Sequence, residues 1–149
     1  MNQKLGWRNM NEARGYIASG YFRGNRVPQH IQNKIIRDYC SANELEYVMS
    51  KAEYAFQENT FSQLRAAVEE DIPYIIMYSI WLLPSDKRTR LELLEKALNK
   101  GIKIHFACED LKLENRRQMG QIEELIAIED KLIKSSGKII AEVKYSLGL

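Results

Sequence analysis

Four short apolar runs, each separated from the next by a stretch with helical spacing, constrain this chain more than any other feature. The runs are Gly15-Tyr16-Ile17-Ala18-Ser19, Leu45-Glu46-Tyr47-Val48-Met49, Tyr74-Ile75-Ile76-Met77-Tyr78 and Ile102-Lys103-Ile104-His105-Phe106-Ala107. The first stops at Gly20 and Gly24, as a buried strand entering a glycine-containing loop does. The third is the most strongly apolar and suits a strand buried on both faces. Behind Pro28, whose missing N–H costs nothing in a first turn, Ile31, Ile35, Ile36 and Tyr39 recur at helical spacing, and Asn43 is read as the left-handed cap that ends this helix. Phe61, Leu64, Ala67 and Val68 mark a second helix capped by Asn59 or Thr60. Leu91, Leu94 and Leu98 mark a third, opened by Pro84-Ser85-Asp86 and closed by Gly101. Strands alternating with helices over connections of this length call for a parallel sheet covered on both faces. The expected fold is therefore α/β, a three-layer sandwich with a mainly parallel sheet of four to five strands.

From Leu113 onward the pattern changes. Met119, Ile122, Leu125, Ile126, Ile128, Leu132 and Ile133 form a broad apolar stripe on one long C-terminal helix, with an acidic-to-basic gradient along it. Gly137 is expected to break or bend that helix before Ile139, Ile140, Val143 and Leu147. Such a stripe must be covered, either by the chain's own sheet or by another subunit. The reading is a polar N-terminal tail over 1–14, an α/β domain over 15–112 and a helical segment over 113–149. A homodimer or higher oligomer is expected through the helix spanning about 116–135.

Composition narrows the function classes. At 149 residues the chain is long enough to bury roughly 70% of its unfolded surface without a disulfide or metal staple. Cys40 and Cys108 are too few for a disulfide framework, and the start of the chain lacks the apolar block of a signal peptide. No window holds the ~18 apolar residues needed to cross a bilayer, so a cytoplasmic protein with no membrane partner is expected. Lys and Arg number 22 against 20 Asp and Glu, a net charge of +2 that gives little reason to expect a nucleic-acid partner.

In open α/β sheets, ligands bind beyond the carboxyl ends of the strands. That rule selects Ser19 and the loop to Arg26, then Gln29 and His30, Glu53 and Tyr54, Ser79, and His105 or Glu109. The segment 20–30 places Arg23, Asn25, Arg26 and His30 around a helix start, whose N–H groups and dipole favour an anion. Arginine's planar fork binds phosphate or carboxylate bidentately. An anionic small molecule is the expected ligand; the plainer alternative is two solvated arginines and an asparagine that shapes a turn. His30, near the positive helix end, can serve as a base or a donor, or simply pack over Pro28. His105, inside an apolar strand, is more often a satisfied core residue than a catalyst, and Cys40 reads as a buried inert thiol. Ser19 is a candidate nucleophile that needs an activating partner. Two histidines and no carboxylate at ligand spacing give no metal site, and no cofactor is expected. The charges of Asp86-Lys87-Arg88-Thr89-Arg90 read as a solvated helix face.

The block Gly24-Asn25-Arg26-Val27-Pro28-Gln29-His30-Ile31-Gln32-Asn33, with Arg37-Asp38-Tyr39-Cys40, Glu53-Tyr54, Tyr78-Ser79, Leu83-Pro84 and His105-Phe106-Ala107, resembles the sporadic carbohydrate cluster proteins. The similarity runs from about residue 15 to beyond 111. That family is associated with bacterial gene clusters for surface carbohydrate (lipopolysaccharide, O-antigen or capsule) biosynthesis, so the resemblance implies a pathway and leaves the reaction open. A more distant likeness is to the catalytic domain of serine recombinases: a serine ending strand one, a glutamine-containing first helix, an apolar third strand before Leu82-Leu83, and a long terminal helix. It implies a resolvase-like topology and dimerisation through the terminal helix. The catalytic arginines do not carry over, because Ile80-Trp81-Leu82-Leu83-Pro84-Ser85 stands where recombinases have Leu-Asp-Arg-Leu-Gly-Arg, and no DNA-binding domain is expected to follow. Without those guanidiniums most of the electrostatic stabilisation for strand exchange is lost.

Three readings follow. The first is an enzyme or enzyme subunit acting on a sugar phosphate or nucleotide sugar, with Arg23 and Arg26 on the anion and Asn25 and Gln29 on sugar hydroxyls. In it Ser19, His30 and Glu53 are the catalytic candidates, and Asn33, Tyr54, Ser79 and His105 complete the substrate contacts. The second is a non-catalytic binding or scaffold protein of the same pathway. The third is a degenerate recombinase-like DNA protein, which predicts steeply salt-dependent DNA binding.

Overall fold

A computed structural model describes residues 9–20, 26–54 and 60–148, the Ile140 side chain excepted. The chain divides into two units, Met1–Glu114 and Asn115–Leu149.

The first unit is an α/β domain with a five-stranded sheet. In chain order it runs β1 (Glu12–Ser19), α1 (Gln29–Ala42), β2 (Glu46–Tyr54), α2 (Ser62–Glu69), β3 (Tyr74–Met77), a 3-10 turn (Ile80–Leu82), α3 (Lys87–Asn99), β4 (Lys103–Phe106) and β5 (Leu111–Leu113). The strand order is β2-β1-β3-β4-β5, parallel except for β5, which returns antiparallel along β4. The chain therefore steps one way from β1 to β2 and the other way from β2 through β3 to β4. Right-handed crossovers put α1 on one face and α2 and α3 on the opposite face. On the α1 face Ala13, Ile17 and Ile76 pack with Ile36, Tyr39 and Cys40. Strand alternation turns Tyr16, Ile75, Met77, Ile104 and Phe106 to the other face, and all of them are fully buried. At about 1.5–3 kcal/mol per fully buried aliphatic side chain, these two half-cores account for the three-layer architecture.

Several local expectations are corrected. β1 starts at Glu12, three residues inside the segment read as a tail. Charged residues hid it: the half-buried Arg14 donates to Glu70 at 3.0 Å and to the Met49 carbonyl, and Lys51 on β2 meets the same Glu70 at 2.9 Å. β2 runs on to Tyr54, because an edge strand tolerates polar residues along much of its length. The left-handed residue after α1 is Glu44 (φ 56°), not Asn43, which has a negative φ (−110°) and whose side-chain amide donates back to the Tyr39 carbonyl at 2.8 Å. Arg90 is buried and donates to the Pro84 and Ser85 carbonyls, so that charged run is only partly a solvated face. Gly15 sits where a Cβ would overlap Ser50 Oγ, which is why the strand carries no side chain there.

The second unit is one continuous helix, α4 (Arg116–Ser146). Gly137 neither breaks nor ends it, since the backbone cost of one helical glycine, about 1 kcal/mol, is small beside thirty-one residues of i→i−4 bonding. Asn115 caps its first turn by accepting from the Gln118 N–H at 2.9 Å.

Candidate functional site

The strand order reverses between β1 and β3, so the switch point of the sheet lies between those strands, at their carboxyl ends. Register shapes it. Tyr16 pairs with Met77, the last residue of β3, while β1 continues through Ile17, Ala18 and Ser19. Beyond Tyr16 the Tyr78 N–H still reaches the Tyr16 carbonyl at 3.1 Å, but β3 ends before it can serve Ala18. A side chain fills the vacancy. Gln32, fully buried on α1, accepts from the Ala18 N–H at 3.1 Å and donates to the Ala18 carbonyl at 2.7 Å, standing in for the next peptide of β3. Its second N–H donates to the Val27 carbonyl at 2.8 Å and fixes the approach to α1. Gln32 is not among the residues that strand-end position singles out in the sequence. Its signal in the sequence is an amide at helical spacing from Ile36 and Tyr39, the residues with which it shares the buried face of α1.

The helix that Gln32 docks begins at this crevice. Pro28 precedes it, no side chain caps it, and no acidic residue lies in its first turn. Arg26 and His30 are exposed there and Gln29 is half-buried. Arg23 and Asn25 lie outside the described residues, as does Asn59. Ser19 ends β1 opposite Tyr54 in register, and its hydroxyl donates to the Glu53 carbonyl at 3.4 Å. Tyr54 is itself exposed. The structure thus brings Ser19, Arg26, Gln29, His30 and Tyr54 to one edge of the sheet.

Glu53 reaches the same edge but is turned inward. Its Oε2 accepts from the Tyr16 hydroxyl at 2.9 Å and the Leu64 N–H at 3.1 Å, and its Oε1 from the Gln63 N–H at 3.2 Å and the Ser62 hydroxyl at 3.4 Å. Glu53 is therefore the cap of α2, supplied from β2, in place of the local cap expected from Asn59 or Thr60. Phe61 at that helix start is left-handed (φ 50°) with no capping side chain of its own. Burial, reinforced by the adjacent Glu53 charge and hydrogen bond, pushes the Tyr16 phenol far above its ordinary range, so Tyr16 remains a donor.

Ser79 is committed in a similar way: it donates to Glu109 at 2.8 Å and accepts from the Trp81 N–H at 3.2 Å, while Glu109 also accepts from the Ile80 N–H at 2.9 Å. Asn33, on α1, and His105, on β4 against Tyr39 of α1, are engaged away from the crevice. Asn33 accepts from the Ser50 hydroxyl at 2.6 Å and the Tyr47 hydroxyl at 3.4 Å. His105 Nδ1 lies 2.8 Å from the Tyr39 hydroxyl, and Nε2 is 3.3 Å from a Glu114 oxygen but off the line a hydrogen bond needs. Burial pushes Tyr39 up to about 12 and Cys40 up to about 11, so Tyr39 keeps its hydroxyl proton and Cys40 stays a thiol. Among the described residues no three His, Cys, Asp or Glu side chains converge as metal ligands.

His105 gives the domain a pH dependence. Burial holds its pKa below the ordinary histidine value, with Glu114 opposing. The unfolded chain then takes up the proton first, so stability is full at neutral pH and declines as pH falls below ~6.5. Urea midpoints measured between pH 8 and 5 should fall over that window, and His105→Gln, which still offers Tyr39 an acceptor, should flatten the decline. A flat parental profile would refute the assignment.

No protein-family model matches the chain, and no curated protein matches it significantly.

Proposed function

We propose that the chain binds a phosphorylated or nucleotide-linked sugar at the β1/β3 switch point and serves bacterial surface-carbohydrate biosynthesis as a cytoplasmic enzyme or enzyme subunit. One observation carries this reading: an uncapped helix start, with Arg26, Gln29 and His30 on it, stands at the one place where the strand order reverses. The resemblance to the sporadic carbohydrate cluster proteins supports the pathway. Arg26, with Arg23 of the preceding segment, holds the anion; Gln29 and Asn25 orient hydroxyls; Ser19 and His30 handle protons. Among the described residues no helix is long and apolar enough to cross a membrane. Copies associate through α4, on which Ile128, Leu132, Ile133, Ile139, Val143 and Leu147 are exposed.

The commitment of Glu53 and Ser79 to scaffold bonds favours a second reading, a binding protein without turnover. A panel of sugar phosphates and nucleotide sugars separates the readings. A ligand present at about 100 times its Kd should stabilise the fold by about 2.7 kcal/mol, a thermal shift of several degrees that Arg26→Ala diminishes. Product formation lost in His30→Ala would mark an enzyme, whereas binding without product would mark the second reading. No shift with any member of the panel at millimolar concentration would overturn both.

A further inference from the structure

The exposed face of α4 carries its own instructions for pairing. Leu125, Ile128, Leu132 and Ile139 follow one another at intervals of three, four and seven, the spacing of a two-helix seam, and from Ile128 on each is more than half exposed. Charge is segregated along the same helix. After Arg116 and Arg117 in its first turn, Glu123, Glu124, Glu129 and Asp130 fill the stretch up to Lys131, and Lys131, Lys134, Lys138 and Lys144 fill the rest, with Glu142 the one acidic residue among them. Glu124 and Lys138 are exposed, two heptads apart, and flank the seam on the same side.

We infer that α4 pairs with α4 of a second copy of this chain in antiparallel orientation, centred near the boundary between Asp130 and Lys131. The inference rests on the proposed association through α4 and adds its direction. In this arrangement Glu124 of each copy lies against Lys138 of the other, and the acidic stretch of each meets the basic stretch of its partner. At this register Ile128 of each copy comes opposite Leu132 of the other, which closes the apolar layers at the centre of the seam. A parallel, in-register pair does the opposite. It sets acidic stretch against acidic stretch, brings Glu124 against Glu129 and stacks Glu142 on Glu142 within the seam, where like charges repel.

Charge reversal on the full-length chain reads out the direction. Both positions are exposed on a continuous helix, so the variants test pairing without disturbing the core. In sedimentation velocity over a concentration series, Glu124→Lys should weaken self-association by roughly tenfold, since it creates two Lys–Lys contacts per dimer. Lys138→Glu should weaken it similarly. An equimolar mixture of the two variants should associate as tightly as the parent, because every contact across the heterodimer is again of opposite sign, and the double variant should recover on its own. Tighter or unchanged association of Glu124→Lys overturns the antiparallel direction while leaving association through α4 standing. A parent that is monomeric at tens of micromolar, or a Leu132→Asp variant that associates as well as the parent, overturns the association itself.

Discussion

Replacing Glu53 by alanine should lower the unfolding free energy by about 3–5 kcal/mol, a large share of the roughly 5–15 kcal/mol that holds a domain of this size together. The carboxylate accepts from Tyr16, Ser62, Gln63 and Leu64, and two of those donors are backbone N–H groups with no freedom to turn elsewhere. Their loss also removes what holds the left-handed turn at Phe61 ahead of α2. Glu53→Gln is the discriminating variant. Hydroxyls on Tyr16 and Ser62 can rotate to accept from an amide, but the NH2 must still confront either Gln63 or Leu64, leaving one N–H orphaned at about 1–3 kcal/mol. Tyr16→Phe, which removes a single donor, should cost about 1 kcal/mol. Chemical denaturation of the three variants tests the order alanine, glutamine, then phenylalanine. If Glu53 served instead as a proton-transfer group open to ligand, Glu53→Gln would unfold like the parent and lose only turnover.

The two parts of the molecule differ in how far their sequence discloses them, and Glu53 shows why. The strands around Tyr74–Met77 and Lys103–Phe106 and the helices at Gln29–Ala42 and Lys87–Asn99 are legible because apolar periodicity is a local record of which side is buried. Failures of the local record occur where charges substitute for apolar groups. Arg14 and Lys51 enter strands because Glu70 neutralises both, and nothing near either residue announces a partner on another element. Polar commitments are still less local. The partners of Ser79, Tyr39 and Glu53 lie thirty, sixty-six and up to thirty-seven residues away, and whether a side chain faces ligand or scaffold is decided by those partners. Placement of Ser19, Gln29, His30 and Tyr54 at the carboxyl edge follows from topology alone, whereas the roles of Glu53, Ser79, Asn33 and His105 require the tertiary contacts. Gly137 belongs to a third kind: an α4 of thirty-one residues absorbs a helix breaker that would end a shorter one.

Gln32 carries the second large effect, and its sign with pH makes it decisive. With Gln32→Leu the Ala18 N–H, the Ala18 carbonyl and the Val27 carbonyl all lose their partner inside the domain, which should cost about 2–5 kcal/mol even though the volume is nearly kept. Gln32→Glu changes a single group, yet it should be worse at neutral pH. The amide donates to two carbonyls, and an ionised carboxylate in its place would face both as an acceptor while buried and unpaired. The folded variant therefore favours the protonated acid, which restores one O–H donor, and its folded pKa rises above the unfolded value of ~4.3. Stability of Gln32→Glu should accordingly be greatest near that lower value and fall as pH rises, the reverse of the His105 effect in the parent chain. Because Gln32 also ties down Val27, the residue that follows Arg26, both variants should weaken ligand at the β1/β3 crevice beyond their cost in stability. Denaturation midpoints followed from pH 5 to pH 8 provide the check. A Gln32→Glu protein whose stability matches the parent's across that range would mean that the buried amide does not substitute for a strand at the switch point.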